Sequence, residues 1–170
     1  MVKEIILSKN KGVALVDDDD FNELSQYKWR LHKTKDGHCY AKTHIKSDNT
    51  KSGYTSIDIH RVIFKPKQNK DIDHINGNGL DNQKINLRLC NPSQNGGNRR
   101  KNKKKTSSRF KGVYWHASRN KWDACICRTH IGSFDDEISA ALAYNKKAKK
   151  IFGKFAHLNN VEQMVLPVVL

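Results

Sequence analysis

The densest chemistry in the sequence lies in Ile72-Asp73-His74-Ile75-Asn76-Gly77-Asn78-Gly79-Leu80-Asp81-Asn82, with Asn86-Leu87-Arg88-Leu89 and Asn91-Pro92-Ser93-Gln94-Asn95 close behind. Asp73 offers a hard anionic oxygen and Asn95 a neutral carbonyl oxygen. One carboxylate and one amide suit a Mg²⁺ ion, with Mn²⁺ as the alternative, that keeps several waters and takes further oxygens from a phosphate. His74, adjacent to the carboxylate but pointing to the other face of a strand, can take a proton from water near neutral pH. Asp73 and Asn95 are the candidate metal ligands and His74 the candidate general base. Phosphodiester hydrolysis is the reaction these types suit, with the metal steadying the phosphate and the leaving 3′ oxygen.

Such groups need a scaffold that aims them at one point. A strand ending in Asp73-His74, a Gly/Asn/Asp loop and a short returning strand over Leu87–Leu89 supply the first part. Asn91 is then a good N-cap and Pro92 a good first helical residue, which puts Asn95 about one turn into a helix. Strand, loop, strand and helix make a ββα unit over residues 60–98. Asp81 and Asn82 read as turn formers, because short amide and carboxylate side chains bond their own backbone in such loops. Asp71 is either a second acid or an exposed one, and His60 a buried hydrogen-bonding residue at a strand end. Arg61 and Arg88 either clamp phosphate or pair with a carboxylate. Gly96-Gly97 weakens the helix, so full ordering is expected only on DNA or metal.

The rest of the chain indicates the partner. Its 170 residues carry 32 Lys and Arg against 17 Asp and Glu, a net charge of +15, with pI near 9.8. That excess fits a polyanion, most simply nucleic acid held by phosphate neutralisation. Only 36% of the residues are hydrophobic, which points to two small cores rather than one large one. No apolar run is long enough for a membrane span, and the first residues are charged too soon for a secretory signal. Cys39, Cys90, Cys125 and Cys127 form no C-x-x-C pair and read as reduced thiols of a cytoplasmic protein.

Residues 98–107 divide the chain. Arg99, Arg100, Lys101 and Lys103 belong to a basic run that repels itself unless an anion neutralises it, so it reads as a linker that also grips a phosphate backbone. Upstream, Lys3–Leu7 and Gly12–Val16 are expected strands, Asp17–Asp20 a helix-capping run, and Trp29–Ile45 and Ser56–Phe64 further strands. Downstream, strands are expected over Arg109–Trp115, Lys121–Cys127 and His130–Phe134, with Cys125 and Cys127 on one face. A helix then opens at Asp135-Asp136-Glu137, has its apolar residues at Ile138, Ala141, Leu142, Ala148, Ile151 and Phe152, and closes at Gly153. Three strands backed by one helix leave a sheet face of cations and aromatics, with Trp122 the best candidate for the core beneath. The fold class is α+β, with units at 1–97 and 108–160 and a tail at 161–170.

Two resemblances sharpen this. Asp73-His74, Asn86 thirteen residues after Asp73 and Asn95 nine further on, with His60-Arg61 ahead of them, resemble the HNH (ββα-metal) motif of bacteriophage-type homing endonucleases. The resemblance implies Asp73 and Asn95 as metal ligands and His74 as general base, with Asn86 holding the loop that orients His74. Lys-Gly-Val, Lys-Trp-x-Ala-x-Ile, Ile-Gly-Ser-Phe-Asp and Ala-Ala-x-Ala-Tyr-Asn, between residues 111 and 145, resemble the plant ethylene-response-factor (APETALA-type) DNA-binding domain. That implies a sheet in the DNA major groove, with Lys111, Tyr114, Trp115, Arg119, Lys121, Arg128 and His130 as candidate readers. A short second hairpin, and Cys125 and Cys127 where charged readers are usual, depart from the pattern.

The expected function is a site-specific, metal-dependent homing endonuclease acting on double-stranded DNA as monomer or homodimer. It needs no membrane and no small-molecule cofactor, and works in the cytoplasm of a bacterial host, encoded by a phage or mobile element. A non-catalytic DNA-binding regulator on a relic nuclease fold is the alternative, and an RNA- or ribosome-binding basic protein a third reading.

Overall fold

A computed structural model describes residues 1–66, 70–101 and 106–161. They fall into two compact units divided between Asn95 and Gly96.

In the first unit, β1 (Val2–Ile6) and β2 (Val13–Asp17) form an antiparallel hairpin. Ile5, Leu7, Ala14 and Val16 turn inward, where Leu24, Trp29, Ala41 and Ile59 complete one core. The aspartate run opens α1 (Asp18–Leu24), and three acids sit in its first turn, where the helix dipole favours them. Asp17, at the N-cap position, makes no side-chain capping bond. Its carboxylate instead accepts from the Lys84 backbone N–H at 2.7 Å, and Asp20 accepts from Lys84 Nζ at 2.8 Å. The capping expectation therefore gives way to long-range ties.

β3 (Arg30–Lys33), β4 (Cys39–Lys46) and β5 (Tyr54–Asp58) follow as an antiparallel sheet with β4 central. The strand expected over Ser56–Phe64 ends at Asp58, and Ile59–Phe64 is a helix, α2. Ile59, His60 and Val62 bury one side of it, a helical spacing that a six-residue window disguises, and Lys65 leaves it in the left-handed region at φ 43°. β6 (Asp71–His74) then pairs antiparallel with β7 (Leu87–Cys90), placing Asp73 opposite Arg88 and His74 opposite Leu87. The short helix α3 (Pro92–Asn98) follows.

The second unit is a sheet of β8 (Val113–His116), β9 (Lys121–Ile126) and β10 (Thr129–Phe134), β9 central, backed by α4 (Glu137–Phe152). The first strand begins later than expected because Arg109–Gly112 turns. Gly112 has φ 74°, and a Cβ there would strike the Tyr144 ring and the Cys125 carbonyl, so only glycine lets strand and helix approach. α4 buries Ala140, Ala141, Tyr144, Ala148 and Phe152, while Leu142 and Ile151 stand exposed. The inward face is thus narrower and richer in alanine than expected. Asp136 caps α4, accepting from the Ser139 N–H at 2.8 Å, and Gly153 ends it. Cys127 is not on a strand face: it and Arg128 form the two-residue turn between β9 and β10, both at positive φ.

Candidate active site

Asp73 and His74 end β6 on opposite faces, and both are buried. On the Asp73 face, Arg88 reaches across the hairpin and donates from Nε and Nη2 to Oδ2, at 2.8 and 2.7 Å. This is a doubly bonded charge pair largely removed from water, so Arg88 orients the carboxylate rather than presenting itself to solvent. Arg61 pairs with Asp71 at 3.5 Å, both side chains about two-fifths exposed, a contact worth little energetically. Both arginines therefore face carboxylates here, Arg88 closely and Arg61 loosely.

On the other face, the His74 ring lies 5.0 Å from His60 and 6.0 Å from Tyr40, edge-on or tilted. His60 comes from α2, not from a strand end. Burial drives its pKa down to about 3, with positive neighbours Arg61 and Lys42 adding to the effect of His74. Burial also lowers His74, opposed by a hydrogen bond to Asn82 and by the charge of Asp73. His74 Nε2 and Asn82 Oδ1 stand 3.1 Å apart.

The loop between β6 and β7 is held by its own amides. Asn86 Nδ2 donates to the Asp81 carbonyl at 2.7 Å and to Asn76 Oδ1 at 3.1 Å, while Asn86 Oδ1 accepts from the Asn76 N–H at 3.0 Å. Asn78 Oδ1 accepts from the Leu80 N–H, and both Asp81 oxygens accept from amide side chains, of Asn76 and Gln83. Asp81 ends a turn through its backbone N–H, which donates to the Asn78 carbonyl at 3.1 Å, but its carboxylate binds side-chain amides rather than its own backbone. Asn82 is no turn former either: it is fully buried and faces His74. Nothing in the sequence separates these two, since a glycine-rich loop has no period from which to read an inward side.

Asn95 sits in the first turn of α3, half-buried, its N–H donating to the Asn91 carbonyl at 2.9 Å. Asn91 and Gln94 bond each other reciprocally, side chain to backbone N–H, at 2.8 and 2.9 Å, which is a capping box. Asp73, His74 and Asn86 thus share one hairpin, and Asn95 belongs to the helix that directly follows it. Among the described residues no group of three or more His, Cys, Asp or Glu side chains is placed to hold an ion. A lone carboxylate with an amide nonetheless fits a Mg²⁺-type ion whose remaining ligands are water and phosphate.

The candidate DNA contacts of the second unit distribute unevenly. Arg99 and Arg100 are exposed, Lys101 is half-buried, and Lys103 lies outside the described residues. Lys111 Nζ donates to the carbonyls of Gly97 and Arg99 at 2.8 and 2.6 Å, so its charge is turned onto backbone. Tyr114 and His130 stand on the sheet face away from α4, but Trp115 does not. It opposes Trp122 on the helix side, ring centroids 5.1 Å apart. Trp122 is half-buried against the core, as expected. Arg119 and His130 both approach Asp123, at 3.8 and 3.6 Å, and Lys121 pairs with Asp135. Arg128 is exposed at the turn. Asp123 is buried at the middle of the open face and takes a 2.5 Å bond from Ser133, and alternation alone carries no signal for such a partner.

A protein of Acanthamoeba polyphaga mimivirus, named an uncharacterized HNH endonuclease, is 35% identical over 174 residues, covering 92% of this chain and 80% of its own. The chain belongs to the HNH endonuclease family. No family model matches it, and no solved structure matches it.

Proposed function

We propose that this HNH protein is a divalent-metal-dependent DNA endonuclease, a homing enzyme of a mobile element, with its active site in residues 60–98. The observation that carries the reading is the buried Asp73-His74 pair on opposite faces of one strand end, with Asn86 fastening the loop behind it. His74 takes a proton from a water molecule, whose oxygen forms the new bond to phosphorus. The bond from phosphorus to the 3′ oxygen breaks, and that oxygen leaves with the bonding pair and is protonated by solvent. Asp73 and Asn95 would hold the metal, Mg²⁺ or Mn²⁺, which when bound stabilises charge on the phosphate and the leaving oxygen. Arg88 orients Asp73, and Asn86 keeps the loop from collapsing onto His74.

The three-stranded sheet with its backing helix serves as an APETALA-type DNA-binding module. Tyr114, Lys121 and His130 are its readers, Arg119 and Arg128 stand at its margins, and the basic run from Arg99 is a phosphate grip. One site per chain suits nicking by a monomer, and a homodimer would cut both strands. Supercoiled plasmid should be nicked in Mg²⁺ and protected by chelator. Nicking that persists in chelator, or equally in a His74→Ala protein, would sink the reading.

A further inference from the structure

Asn82 is the most enclosed polar residue of the His74 cluster, with no solvent exposure. Its backbone is fixed at a distance in sequence. The Asn82 N–H donates to the Leu15 carbonyl and the Leu15 N–H to the Leu80 carbonyl, each at 2.8 Å, a parallel bridge that ties the loop to β2. The Lys84 N–H is tied to Asp17 in the same region. Asn82 is therefore held by a strand outside the β6–β7 hairpin, and its side chain is aimed inward, Oδ1 3.1 Å from His74 Nε2. Its other end, Nδ2, is buried with no hydrogen-bond partner among the described residues. The contact with His74 is made by the side-chain oxygen.

A carbonyl oxygen only accepts. An imidazole nitrogen facing it at this distance must carry the proton, and in a neutral imidazole the lone pair then resides on the other nitrogen. We infer that Asn82 is a positioning residue that locks His74 in the Nε2–H tautomer, so that Nδ1 is the nitrogen that takes the proton from water. Water gives a proton to Nδ1, the resulting imidazolium keeps its Nε2–H bond to Asn82, and the hydroxide oxygen goes to phosphorus. Asn82 touches neither substrate nor metal. It acts by choosing which edge of the ring is basic, as the third member of a hydrolytic triad does for its histidine. The inference rests on the reading of His74 as base, and its test has an arm that does not depend on cleavage.

That arm is ¹⁵N NMR of the histidine rings in the full chain at pH 8, without metal or DNA, with His74 assigned by comparison with a His74→Gln protein. Wild type should show His74 as Nε2–H, and Asn82→Leu a mixture of both forms. In cleavage of plasmid by Asn82→Leu, kcat should fall about 10–100-fold with KM unchanged, the range expected when a partner orienting a working imidazole is removed. Asn82→Asp, which has only acceptors at this position, should restore the Nε2–H form and raise kcat above that of the leucine variant. If Asn82→Leu fails to fold, the aspartate variant decides, since it must keep Nε2–H. An Nδ1–H ring in wild type or in Asn82→Asp, or a folded Asn82→Leu protein with the tautomer unchanged, overturns the inference. Full cleavage by His74→Ala would instead overturn the base assignment and leave the tautomer result standing.

Discussion

The two units treat buried polar groups differently. Asp20 Oδ2, Asp58 Oδ1, His60 Nδ1 and Asn82 Nδ2 are buried without a hydrogen-bond partner, and all four lie in residues 1–95. Asp58 does face Lys42, but at 3.7 Å, which is an ion pair too long for a hydrogen bond. From Gly96 on, the deeply buried acid is Asp123, and Ser133, Arg119 and His130 all attend it. Around it the core is small side chains, Ala124, Ala140 and Ala141 against Phe110 and Val113. Among the described residues, one unit leaves polar atoms unpaired, two of them on His60 and Asn82 beside His74, and the other shows none. Unpaired buried groups persist where a function repays their cost, which is an independent reason to seek the chemistry in the first unit.

The sharpest way to break this contrast is Asp73→Ala. Metal-dependent nicking should fall below detection, while DNA affinity in a filter or gel assay stays close to wild type, since removing an acid beside phosphates costs no attraction. Wild-type turnover by this protein would remove Asp73 from the site. His74→Ala should slow the chemical step by roughly 10²–10⁴-fold while leaving metal and DNA binding in place. Single-turnover kinetics separates the two, and a loss confined to binding would assign His74 elsewhere.

The second unit should yield to a packing insult instead. Gly112→Ala adds a Cβ into the Tyr144 ring at a positive φ, and should destabilise residues 96 onward by about 3 kcal/mol. Hydrogen exchange resolved by peptide would show the loss there and little change in β6 and β7. Equal loosening of both units would deny that they are separate.

Acid gives the smallest effect and a different sign of evidence. His60 has a folded pKa of about 3, against about 6.5 in an unfolded chain. The unfolded chain therefore binds a proton that the folded one refuses. Stability is complete above about pH 6.5 and declines as pH falls toward 3, at up to ~1.4 kcal/mol per pH unit from this group. His74 acts in the same direction. In the other unit His157 is also lowered, but it is only half-buried. Asp123 and Asp136 are held below their ordinary values by serine hydrogen bonds. Their contribution is present above about pH 4 and is lost only as pH falls through the folded values. Urea midpoints at pH 7, 5.5 and 4.5 should fall faster for residues 1–95, and His60→Gln should flatten that slope. Parallel decline of both units would end the contrast.

What the sequence made legible was local. Asp73, His74, Asn86 and Asn95 stand out because a hairpin and the helix after it fit within thirty residues, and Asn91-Pro92 marks its own helix start. Asp136 and Gly153 bracket α4 by the same near-neighbour chemistry. Whatever depended on distant chain stayed hidden. α2 is too short for its period to show, and Asn82 is aimed by Leu15. Arg88 chooses Asp73 through cross-strand register, and Trp115 takes the helix face because the turn over Arg109–Gly112 puts Val113 rather than Gly112 inward, one residue out of phase with alternation from Phe110. Leu142 and Ile151 mislead for a related reason: hydrophobic type does not reveal which side of a helix a sheet will cover, and here alanines fit where leucine would not.

The bridge between Leu15 and Asp81, made through the Leu80 carbonyl and the Asn82 N–H, also sets an order of events. Hairpins such as β1–β2 and β6–β7 close short loops and form early, whereas joining them closes a loop of more than sixty residues, which is slower and entropically dearer. During synthesis β2 must wait for residues 80–84 before its outer edge is occupied. Until that late contact forms, Asn82 has no fixed place beside His74. On the proposed function, competence to cut therefore waits on this long-range contact.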